Sequence, residues 1–94
     1  MSDVLKVVGV VMSGIVSEPD EMQIEITEEK DDHGEVKVIH VKPSDDDIGK
    51  CLGKNGVNAS ALRRIFGIIG YQLTGTRHYF KVNAPELPDN HFEV

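Results

Sequence analysis

Gly53-Lys54-Asn55-Gly56 is the segment of this chain whose residue types and spacing point most directly to chemistry. Two glycines without β-carbons let the backbone turn sharply and let another backbone come close. If the turn joins two helices, the N–H groups opening the second helix lack intrahelical acceptors and carry the positive end of its dipole. A phosphate meets both needs. Lys54 adds a cation at the tip, and Asn55 adds a hydrogen-bonding amide. Ile48, Gly49 and Leu52, just upstream, would floor a track for the bases of about four nucleotides whose backbone lies on the turn. Lys50, Arg63 and Arg64 stand nearby as cations. Taken alone, a Gly-x-x-Gly is common and reads equally as a helix joint capped at Gly53. Its surroundings decide.

Those surroundings carry an uneven charge. The chain of 94 residues has a formal charge of −6, which opposes contact with nucleic acid. Residues 1–47 hold thirteen acids against four lysines, and residues 85–94 add three acids. Residues 48–84 hold Lys50, Lys54, Arg63, Arg64, Arg77 and Lys81 and no acid. Screening over about 8 Å means that an anion feels the local patch more than the sum. The plainer alternative is chance segregation of charge between solvated faces.

Other constellations fail. Gly49 and Gly53-Lys54 suggest a P-loop, but three residues rather than the required four separate the glycines, and Asn55 stands where Ser or Thr is needed. His33, His40, His78 and His91 have no metal-ligand spacing with one another or with Cys51, so no metal and no cofactor is expected. Asp45-Asp46-Asp47 reads as a capped helix start rather than a hard-cation site. No nucleophile–base pair or catalytic carboxylate pair emerges, so the chain reads as a non-enzyme. Cys51 reads as a small packed side chain, His40 and His78 as surface or packed, Phe66 and Phe80 as core, with Tyr79 undecided. A single cysteine excludes an internal disulfide, and the apolar run Val4–Val16 is shorter than the ~20 residues a bilayer needs. A cytoplasmic protein without a membrane segment is the expectation.

The elements that must position the turn follow from periodicity. Ser2 or Asp3 caps a predicted helix over residues 4–16, with a buried strand as competitor because six valines and two glycines disfavour helix. Strict alternation over 22–27, a reversal near His33-Gly34 and a second strand returning over 36–42 predict an antiparallel hairpin. A short helix runs from Ile48 to Leu52, begun by the aspartate run. A longer one follows from Val57, closed by Gly70 or Gly75, and residues 76–82 form a third strand. The order is α-β-β-α-α-β, an α+β fold with helices on one face of a three-stranded sheet. Residues 84–94, with Pro85 and Pro88, read as a flexible tail.

The run Ile48-Gly49-Lys50-Cys51-Leu52-Gly53-Lys54-Asn55-Gly56, followed by Asn58-Ala59-Ser60-Ala61-Leu62-Arg63-Arg64, resembles the signature of a KH domain. The likeness is to the small bacterial KhpA-type proteins, and it covers residues 2 to about 83. It implies a single type II KH domain over residues 1–83. It also implies single-stranded RNA as partner, an RNA-chaperone-like role in the cytoplasm, and a homodimer or a heterodimer with a larger KhpB/Jag-like KH protein. The binding residues it implies are Ile48, Gly49, Lys50, Leu52, Gly53, Lys54, Asn55, Gly56, Asn58, Arg63 and Arg64. One departure is Val57, where such proteins often carry arginine. The acidic hairpin segment 28–32 is not a feature the family assigns. Net acidity, Val57 in place of a basic residue, the very apolar first helix and the Gly67-Ile68-Ile69-Gly70 segment keep a rival open: an assembly module that uses the fold with little RNA binding.

Overall fold

A computed structural model describes residues 3–83. Three helices and three strands alternate in the expected order: α1 (Asp3–Ser13), β1 (Gln23–Asp31), β2 (Gly34–Lys42), α2 (Ile48–Leu52), α3 (Val57–Thr74) and β3 (Arg77–Val82). The sheet order is β1-β2-β3, with β1 antiparallel and β3 parallel to β2. Ser2 and residues 84–94, read above as a cap and a tail, lie outside the described residues.

α1 is a helix despite its valines because Val4, Val8 and Met12 fall on one stripe and are fully or nearly fully buried. Burying each such side chain contributes about 1.5–3 kcal/mol, while a valine costs at most ~0.7 kcal/mol of helix propensity. Packing wins. The helix stops at Ser13 rather than Val16, with Gly14 N–H bonded to the Val11 carbonyl, and Val16 is buried from the following connection. The stripe packs with Ile39 and Val41 of β2, Cys51 of α2, Phe66 of α3 and Phe80 of β3 in one core. Phe66 and Phe80 stand 5.2 Å apart between ring centroids, so both are core as expected. Cys51 is fully enclosed, and burial, with Asp47 adding, pushes its thiol up to about 11.

The hairpin is longer than its alternation suggests. β1 and β2 pair from Gln23↔Lys42 to Asp31↔Gly34, so residues 28–31 are strand and the reversal occupies Asp32-His33. Arg77 ties this far end to β3, donating to both Asp31 carboxylate oxygens at 2.7 and 3.1 Å.

Asp47 departs furthest from expectation. It precedes α2 but makes no capping bond to it. Its carboxylate is fully buried and accepts from the Ser17 and Glu18 amides at 2.9 and 3.0 Å and from the Ser44 hydroxyl at 3.2 Å. Asp47 therefore fastens the α1–β1 connection to the start of α2. The Ser17 amide foremost, with Glu18, Ser44 and Lys50 behind it, outweighs burial and holds the carboxyl at about 2, below its ordinary 3.8. A depressed carboxyl stabilises the fold fully above its ordinary range and loses that contribution as pH falls through the folded value. The clamp thus weakens between pH 3.8 and about 2. Asp47→Asn is expected to lower the neutral-pH melting temperature by roughly 10 °C and to remove this part of the acid sensitivity. Melting curves that match the wild type from neutral pH down to pH 2 would show that the clamp contributes nothing.

Candidate nucleic-acid interface

The turn between α2 and α3 is held open by left-handed backbone. Gly53 has φ +75°, Asn55 φ +57° and Gly56 φ +77°, with Lys54–Gly56 forming a single 3-10 turn. Asparagine is among the few side chains that accept this region. Gly53 is required twice over, because a β-carbon there would also lie 2.6 Å from Asn58 Cγ. That close approach lets Asn58 Nδ2 donate to the Lys50 carbonyl at 2.8 Å, bracing the end of α2 against the first turn of α3.

The amides of the turn are only partly free. Gly53 N–H donates to the Gly49 carbonyl, Gly56 N–H to the Gly53 carbonyl, and Val57 N–H to the Lys54 carbonyl. The N–H groups of Lys54 and Asn55 have no partner among the described residues, and both residues are exposed. The groups this turn could offer an anion are these two amides and the Lys54 ammonium, while the Val57 N–H that opens α3 is already engaged. The Asn58 amide, read above as a ligand contact, is exposed and spends its Nδ2 on this brace.

The remaining candidates divide. Gly49 is exposed and Leu52 half-buried beside the turn, but Ile48 is buried and offers little floor. Lys50 Nζ donates to the Ser17 hydroxyl and lies 3.5 Å from Asp47, so part of its charge is already answered. Arg64 is exposed. Arg63 turns away from the loop: its Nε donates to the Phe80 carbonyl at 3.2 Å and its guanidinium lies 5.0 Å from the Tyr79 ring centre. It thereby satisfies one carbonyl of β3, a strand at the edge of the sheet. His40 and His78 are each engaged within the fold. His78 is buried with Nδ1 2.7 Å from the Thr76 carbonyl, and His40 Nε2 lies 3.0 Å from the Thr27 hydroxyl, which donates to Glu29.

The structure joins Val57 and Ile68, already grounds for the assembly reading, with Ile65 in an exposed apolar column on α3. Val57, Ile65 and Ile68, 59, 49 and 62% exposed, recur on one side of the helix. The signal was present as apolar residues beyond those that one buried stripe can use.

Three strands and three helices in the order α-β-β-α-α-β, with a Gly-x-x-Gly turn joining the last two helices, make a single KH domain of type II. The chain is similar to the RNA-binding protein KhpA of Streptomyces coelicolor, 41% identical over 59 residues, or 63% of this chain and 70% of that protein. It is also similar to the RNA-binding protein KhpA of Mycobacterium leprae, 37% identical over 60 residues, or 64% of this chain and 70% of its relative. This chain belongs to the KhpA family. No protein-family model matches it, and no solved structure does. Among the described residues, no helix is long and apolar enough to cross a membrane.

Proposed function

We propose that this protein binds RNA, and that it grips the backbone of a single strand at the Gly53–Gly56 turn. The observation that carries this is the turn itself: exposed Lys54 and Asn55, two unengaged amides and left-handed backbone, within an acid-free segment. The names of its KhpA relatives support the coarser half of the reading. With few phosphate contacts on a net negative body, one copy binds weakly, in the ~10⁻⁴–10⁻⁶ M range of mainly electrostatic contact. Weak, sequence-tolerant binding suits an RNA chaperone of the bacterial cytoplasm, and no step requires a catalytic group. An NMR titration with a short oligonucleotide tests it. Amide shifts are expected to centre on residues 48–64 and to shrink as salt rises. Shifts spread evenly over the surface, or unaffected by salt, would remove the proposal.

The α3 column favours a second reading, assembly, with a second copy or a KhpB/Jag-like KH protein as occupant. An exposed apolar strip beside the loop would place two loops on one RNA strand and raise apparent affinity. Light scattering on the purified chain is expected to give a dimer, and Ile68→Asp a monomer. A wild-type chain that stays monomeric at high concentration excludes self-assembly.

A further inference from the structure

Away from the loop, where α3 passes the start of β3, a cavity of about 440 Å³ opens to solvent. Its volume falls within the range of small-ligand sites. Two tyrosines line it, Tyr71 from α3 and Tyr79 from β3, and both are substantially exposed. Val38 gives it an apolar wall, and the Arg77–Asp31 pair sets a fixed donor and acceptor at its margin. His78 also lines it; its Nδ1 faces the Thr76 carbonyl, and its buried Nε2 has no partner. Arg63 is not part of the lining and meets the Tyr79 ring from outside the cavity.

Exposed aromatic rings beside cations are the elements that hold single-stranded bases, since every base offers a π-face. The geometry points to a nucleobase-stacking site at Tyr79 and Tyr71, taking a base of the same RNA strand whose backbone lies on the loop. The inference rests on the loop reading above. Val57 and Gly67 are ten residues apart on α3, about 15 Å at the helical rise, so the site takes a base beyond those at the loop. Arg63, holding Tyr79 from its outer side, keeps the ring ready for a base on the cavity side.

The chain has two tyrosines and no tryptophan, and both tyrosines line this cavity, so intrinsic emission reports on it alone. The test titrates wild type, Tyr79→Ala, Tyr79→Phe and the Lys54→Asp/Asn55→Asp variant with tetra- and octa-adenylate RNA, following emission and affinity. The octamer is expected to quench emission and to bind the wild type roughly tenfold more tightly than the tetramer, the scale of one stacked base. Tyr79→Ala loses that gain while keeping tetramer affinity, and Tyr79→Phe retains it. Equal octamer affinity for wild type and Tyr79→Ala overturns the stacking site and leaves the loop reading standing. Full tetramer affinity in the loop variant overturns the loop reading, and with it the inference built on it.

Discussion

Lys54→Asp combined with Asn55→Asp will leave the fold unchanged and lower RNA affinity at least about 100-fold. Both side chains are exposed and make no bond among the described residues, so melting should move by no more than about 0.5 kcal/mol per site. Asn55 sits in left-handed backbone, and aspartate is one of the few replacements that tolerates it. The substitutions change the local charge by three units where phosphate is proposed to lie. Two unit charges 4 Å apart interact by about 4 kcal/mol near a protein surface. Turning attraction into repulsion therefore exceeds the ~2.7 kcal/mol of a hundredfold change, even after screening by salt. A salt-dependent binding isotherm measures it, and curves that superimpose with the wild type would end the loop mechanism.

Gly70→Ala will destabilise the domain by about 1 kcal/mol, although alanine is the better helix former. A β-carbon at Gly70 would meet the His78 ring at 2.3 Å from Cγ and 2.5 Å from Nδ1. That overlap cannot be absorbed by a flexible chain end, because the ring is buried and held to Thr76. Either the ring leaves its place or α3 lifts from β3, and overpacking of this kind costs about 1–3 kcal/mol. The helix-propensity gain of ~1 kcal/mol offsets only part. Gly9→Ala is the matched control: it lies inside α1, a β-carbon there meets nothing within 4 Å, and a gain of about 0.5–1 kcal/mol is expected. Urea unfolding of both variants decides it, and a Gly70→Ala protein as stable as the wild type would show that the contact is not as tight as it stands.

The order of elements was legible because each carries its own period. Ile24 and Ile26 alternate with Gln23, Glu25 and Thr27, and the β2 and β3 partners of the two isoleucines, Ile39, Val41, Phe80 and Val82, complete the helix-facing side. The far hairpin was not legible. Residues 28–31 are exposed, so no burial pattern marks them as strand. The α1 boundary was hidden for the opposite reason: Ile15 and Val16 still pack into the core after the helix has ended. At the site, the glycines and Asn55 announced the turn, since their conformation is local. The roles of Lys50, Arg63 and Asp47 depend on Ser17, Phe80 and Glu18, far away in the chain, and no spacing rule reaches those pairs. Spacing alone shows cations near the turn but not the acceptors folded against them.

The enclosed thiol one turn before the loop gives this molecule a built-in clock. A sulfhydryl that titrates near 11 and has no solvent access stays silent toward alkylating reagents while the native state persists. Modification can then proceed only when the packing around the short second helix opens, so its rate counts those openings. If nucleotide lies on the neighbouring turn as proposed, its presence should slow that rate as occupancy rises.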